Sequence, residues 1–116
     1  MLVLNVAALS PWEIGPDCPT LRDLAGQGSM SSLVAPDPAL TCTSHATMLT
    51  GLEPREHGIV GNGWYESSAA QVQNWGRSDN LVAGEKIWEA ARKIRPNFKT
   101  VNLFWRYCYY RFEIFL

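Results

Sequence analysis

Apolar residues along the chain fall into two patterns. Leu2 to Leu9 is a nearly unbroken apolar run, the signature of a strand covered on both faces in a parallel sheet. Pro11, Gly15 and Pro16 end it. From Pro19 the spacing changes. Leu21, Leu24 and Ala25 fall on one face of a short helix that Pro19 opens and Gly26 and Gly28 close. Ser31 to Ala35 can form a second strand ahead of Pro36 and Pro38. Thr43 to Thr50 predicts another helix, with Met48 and Leu49 available for burial and Gly51 at its C-terminal cap. Gly58, Gly61 and Gly63 mark a glycine-rich loop. The clearest helix is Glu85 to Ile94, where Ile87, Trp88, Ala91 and Ile94 share a face and Glu89 can pair with Lys93. Pro96 and Asn97 break it, and Thr100 to Trp105 is again strand-like. This alternation predicts an α/β protein with a mostly parallel sheet and helical crossovers.

Composition narrows the function classes. A hydrophobic fraction of 47% in 116 residues suits a globular chain. Ten basic against eleven acidic residues leave a net charge of -1, which gives no reason to expect a nucleic-acid polymer or an anionic membrane as partner. Cys18, Cys42 and Cys108 are odd in number and widely spaced, so neither a disulfide framework nor a zinc-thiolate site is suggested. The opening residues lack the basic flank and cleavage site of a signal peptide, and no run reaches the ~18 apolar residues of a membrane span. Taken as written, the sequence predicts a cytoplasmic product.

The chemistry is concentrated in LTCTSHATMLTGLEPREHGIVGNGWY, from Leu40 to Tyr65. Thr41 precedes a short helix ending in Thr50-Gly51, and Pro54, His57-Gly58 and Asn62 follow. This segment resembles the alkaline phosphatase superfamily, most closely its type I phosphodiesterase and nucleotide pyrophosphatase branch. The resemblance extends more weakly through PTLRDLAGQG and GEKIWEAAR. Sulfatases, which share that fold, carry their modified residue ten positions before the Gly of the Thr-Gly pair, and counting back from Gly51 gives Thr41. The Pro and Arg of the sulfatase pattern are replaced by Thr43 and His45, so sulfatase activity is disfavoured and Cys42 is not a formylglycine precursor.

The resemblance implies the N-terminal part of an alkaline-phosphatase-like α/β/α sandwich over residues 1–105. It implies hydrolysis of a small-molecule phosphoester, a phosphodiester or pyrophosphate of nucleotide type. It also implies two divalent metal ions, of which zinc is the expected species. Thr41 would be the nucleophile, coordinating metal through its oxygen, and Asn62 would bind a non-bridging phosphoryl oxygen. These types suit the task. A threonine hydroxyl needs activation, and a helix N-terminus presents unpaired N–H groups to the phosphate. Taken singly, Thr41 can equally be an ordinary helix cap and Asn62 a turn residue. Trp64, Tyr65 and Trp75 can stack on a base or simply pack in a core. His45 and His57 match positions that are structural in the family.

Two departures qualify the picture. The family's first strand ends in a metal-binding Asp, where this chain has Ala7 and Ala8. No histidine follows His57, so the residues present do not supply a shell for tight zinc binding. The expectation is therefore an N-terminal portion, inactive by itself. The alternative is a non-catalytic, degenerate or prematurely ended relative. The aromatic-rich end RYCYYRFEIFL, 106–116, departs from the α/β rhythm and reads as an atypical, frameshifted or truncated tail.

Overall fold

A computed structural model describes residues 2–108. The chain divides into two compact units, Met1–Val34 and Ala35–Leu116.

In the first unit a single 3-10 turn, Pro11–Glu13, precedes helix α1, Pro19–Gln27. Proline at the first helical position costs nothing there, because its missing N–H would have had no partner in the helix. Leu21 and Ala25 are half-buried while Leu24 stays 65% exposed, so the expected apolar face is only partly covered. The strand expected over Leu2 to Leu9 is not present. These residues form no ladder, a turn falls at Ala7 and Ala8, and Leu2 is 86% exposed. Ala8 has a φ of 62°, outside any strand conformation. Ser31 to Ala35 is likewise irregular, with Leu33 and Val34 exposed. An apolar run becomes a strand only where a neighbour supplies hydrogen bonds and cover, and among the described residues none does.

The second unit holds the core. Helix α2, Thr41–Thr50, begins two residues earlier than the periodicity suggested. It buries Cys42, Ala46 and Leu49 against Ile59, Val82, Trp88 and Tyr107, with Trp64, Leu81, Trp105 and Cys108 packed around them. Gly51 ends α2 at φ 70°, and its N–H donates to the Thr47 carbonyl at 2.7 Å. That left-handed cap favours glycine. The Thr50 hydroxyl bonds back to the Ala46 carbonyl and accepts from the Leu52 N–H, tying the helix end to the next turn. Helix α3, Pro54–His57, follows at once and packs on α2. The Glu56 carboxylate accepts the Glu53 N–H at its start.

The sheet is small and antiparallel. Strands β1, Gly63–Glu66, and β2, Gln71–Asn74, pair Gly63 with Asn74, Trp64 with Gln73, Tyr65 with Val72 and Glu66 with Gln71. The Glu66 carboxylate accepts both the amide and the hydroxyl of Ser68, which orders the turn and holds its pKa below the ordinary value. The parallel sheet expected from the sequence is not found among the described residues; helices and this hairpin make up the regular structure.

Helix α4, Ile87–Ile94, starts two residues later than expected because Lys86 is extended and its N–H donates to the Glu89 carboxylate at 2.9 Å. That contact replaces the anticipated Glu89–Lys93 pair, and Lys93 reaches Glu85 instead at 2.8 Å. Only Trp88 of the expected apolar face is buried, and Ile87 and Ile94 are exposed. Thr100 to Trp105 bends rather than pairing. Phe104 and Tyr107 take left-handed φ values of 59° and 61°, which turn Phe104 fully to solvent and Tyr107 fully inward. The expectation for the tail lies outside the described residues beyond Cys108.

Candidate active site

The site is built on the first turn of α2. Leu40 occupies the N-cap position, with extended φ and ψ of -113° and 156°, and its aliphatic side chain offers no oxygen to the exposed helix amides. The acceptor comes from elsewhere. Asn62 Oδ1 accepts the Cys42 N–H at 3.0 Å across 20 residues of sequence. An amide N–H can only donate, so this bond fixes which end of the Asn62 carboxamide faces the helix. The Nδ2 end is turned away from the Cys42 amide.

Asn62 is itself anchored from behind. Its backbone carbonyl accepts the Trp75 N–H at 2.7 Å, extending the hairpin ladder by one rung. Gly63 follows, and a Cβ there would come within 3.0 Å of the Asn74 side chain and 3.1 Å of the Gln73 carbonyl. Any larger residue at that position would require the paired strand to give way slightly. Thr41 is the first helical residue and is exposed, beside the Cys42 amide that Asn62 caps. The two residues singled out from sequence thus meet at one helix end. What the sequence did not reveal is the bond from the Cys42 amide to Asn62 that brings the loop to this helix end. A leucine at the cap position is the one signal pointing to a cap supplied by a distant residue.

Both histidines are absorbed into the framework. His57 is fully buried. Its Nδ1 accepts the Ile59 N–H at 3.1 Å, so Nε2 carries the proton and donates to the Thr47 hydroxyl at 3.0 Å. Burial pushes its pKa below the ordinary value. His45 stacks on Trp105 with ring centroids 4.6 Å apart, and its Nδ1 accepts the Arg106 N–H at 3.2 Å. Burial, then the Arg106 charge, depress its pKa too. Tyr107 is buried beside Cys42, and burial raises its hydroxyl pKa well above the ordinary range. Among the described residues the buried Thr43 hydroxyl has no hydrogen-bond partner, and the Tyr107 hydroxyl faces Cys42.

Among the described residues no group of three or more His, Cys, Asp or Glu could hold an ion. Both His57 nitrogens and one His45 nitrogen are engaged, and Ala7 and Ala8 bear no ligand atom. The described residues do not fit a two-ion centre.

The chain belongs to the type I phosphodiesterase/nucleotide pyrophosphatase family, whose model matches residues 1–114. It is similar to two ectonucleotide pyrophosphatase/phosphodiesterases of Caenorhabditis elegans, 30% identical over 95 residues and 32% identical over 97. Each alignment covers 78% of this chain but only 11% and 13% of the respective relative. No solved structure matches. The family implies an alkaline-phosphatase-like α/β fold and a hydrolase, and its members are in general metal-dependent. Among the described residues no helix is long and apolar enough to cross a membrane.

Proposed function

We propose that this chain carries the nucleophile and one phosphate-binding arm of a hydrolase acting on phosphodiester or pyrophosphate bonds of nucleotide-type substrates. One observation carries the reading: the Asn62 carboxamide is locked by the Cys42 amide beside Thr41, with its oxygen committed to the helix. The remaining Nδ2 donor then serves a non-bridging phosphoryl oxygen, together with the first-turn amides of α2 other than that of Cys42. The Thr41 hydroxyl oxygen bonds to phosphorus as the bond to the leaving oxygen breaks, its proton passing by way of solvent to that oxygen. A water oxygen then bonds to phosphorus as the Thr41 O–P bond breaks, and a water proton returns to Thr41.

A second reading has its own support. The turn at Ala7 and Ala8 stands where the family's first metal-binding Asp is expected, which favours a relative that keeps the phosphate corner without turnover. The two relatives are named ectonucleotide pyrophosphatase/phosphodiesterases, which gives no support to the cytoplasmic location expected from sequence.

Amide NMR of the chain titrated with inorganic phosphate tests the binding corner. The Asn62 side-chain amide and the Thr41 to Thr43 backbone amides are expected to shift together, and shifts confined to other residues would refute the corner. For catalysis, Thr41→Ala in the protein as expressed from its gene is expected to abolish cleavage of bis(p-nitrophenyl) phosphate. Unchanged turnover would remove Thr41 from the mechanism.

A further inference from the structure

The contacts that hold Asn62 form a closed circuit beginning and ending on α2. His45, on the inner face of the helix, accepts the Arg106 N–H. The Arg106 guanidinium carbon lies 4.8 Å from the Trp75 ring centroid, within cation–π range. The Trp75 N–H donates to the Asn62 carbonyl. The Asn62 side chain returns to the helix at Cys42.

Trp75 is the weak point of this circuit. It has a φ of 52°, a left-handed conformation that a bulky residue rarely takes, one residue past the end of β2. The strand alone does not impose that conformation. Gly76 follows, packed closely enough that a Cβ there would meet Leu81 Cδ1 at 2.6 Å. Arg106 sits half-buried on the ring side, held at its backbone by His45, and so braces the indole from a residue anchored to α2.

We infer that Arg106 is a positioning residue, which by clamping the Trp75 ring sets the Asn62 carboxamide against the start of α2. Its effect on ligand binding rests on the phosphate role proposed for Asn62, whereas its effect on the Asn62 geometry does not. Arg106 itself touches neither Thr41 nor the Cys42 amide in the contacts described. It acts through Trp75. A lysine keeps a cation for the indole face, and a phenylalanine at position 75 keeps an aromatic face and the backbone donor.

The test uses the full chain, with the Asn62 side-chain amide signals, phosphate affinity and melting temperature read on the same samples. Arg106→Ala is expected to move the Asn62 amide signals without ligand and to weaken inorganic phosphate about two- to fivefold, the span of an exposed cation–π contact. Arg106→Lys and Trp75→Phe are expected to keep the signals near the parent position. Unmoved Asn62 signals in a folded Arg106→Ala protein would overturn the inference. So would equal losses in all three variants that merely follow melting temperature. If Arg106→Ala moves the signals but even Asn62→Ala leaves phosphate affinity intact, the positioning stands and the phosphate role of Asn62 fails.

Discussion

Asn62 Oδ1 lies 3.0 Å from the backbone nitrogen of Cys42 and caps a helix whose own N-cap residue, Leu40, cannot. A side-chain cap stabilises a helix by about 0.5–2 kcal/mol. Here the cap also orients the carboxamide, so structure and binding can be separated by substitution. Asn62→Asp keeps an acceptor for Cys42 but replaces the Nδ2 donor with an anionic oxygen. It is expected to melt close to the parent and to lose phosphate binding, whereas Asn62→Ala loses both. Thermal melts paired with phosphate titrations check this, and retained binding in Asn62→Asp would contradict it.

Thr41→Ala should behave in the opposite way to a core substitution. The residue is exposed at the first helical position, where a small side chain is well tolerated. The expected change in unfolding free energy is within about 0.5 kcal/mol. Any phosphoryl transfer to the protein, read by mass spectrometry of labelled peptides, should vanish. A large loss of stability would show that Thr41 contributes to the framework instead.

Acid should destabilise the second unit before its carboxylates titrate. His45 and His57 both have pKa values pushed below 6.5 by burial, so the unfolded chain binds protons that the folded one refuses. The stability from keeping them neutral is complete above about pH 6.5 and is lost as pH falls through that value toward the folded pKa. The melting temperature should therefore be level above pH ~7 and decline below pH ~6.5. His57→Gln should lower stability at neutral pH by about 1–3 kcal/mol, through its buried partners, and flatten that decline. An unchanged slope in this variant would move the effect elsewhere.

Lys86 offers a test of the loop leading into α4. It is 8% exposed, and its ammonium donates to the Val82 carbonyl at 2.7 Å and the Gly84 carbonyl at 3.1 Å. Hydrogen bonds from a charged donor contribute about 1.5–3 kcal/mol. Lys86→Met keeps the aliphatic stem and strands both carbonyls, so a loss of that size is expected in chemical denaturation. A neutral result would mean that water satisfies the carbonyls as well as the amine does.

Exposed apolar residues in both units predict self-association. Leu33 and Val34 are 81% and 91% exposed in the first, and Phe104 is 100% exposed in the second. Apolar patches of this kind favour contact with other surfaces. Sedimentation should depend on concentration, and the double variant Leu33→Ser, Phe104→Ser should reduce that dependence. A concentration-independent monomer for the parent chain would refute it.

Much of the helical framework was readable because its signals are local. Pro19 opens α1, and Gly51 closes α2 with the left-handed cap its position suggested. The strands were misread for a physical reason. Leu2 to Leu9 and Thr100 to Trp105 are apolar enough for a sheet, but hydrophobicity specifies burial and not a pairing partner. The hairpin that does form was missed because Gln71–Asn74 is mostly polar and its turn, Ser67 to Ala70, lacks the Asn-Gly or Gly signals of tight turns. In the candidate site, the spacing of Thr41, Gly51, Pro54, His57 and Asn62 singled out Thr41 and Asn62, whose roles are proposed. Their connection through Cys42, Trp75 and Arg106 depends on backbone amides and ring faces that no residue pattern encodes.

The bond at Cys42 has one more consequence. First-turn amides of a short helix ordinarily exchange their hydrogens with solvent as the helix end frays, and so report only on that end. The Cys42 acceptor instead belongs to a loop secured by the hairpin, 20 residues onward. Deuterium uptake at this single amide therefore times the undocking of the hairpin from the helix. It gives a built-in clock for the opening that carries Asn62 away from the start of α2.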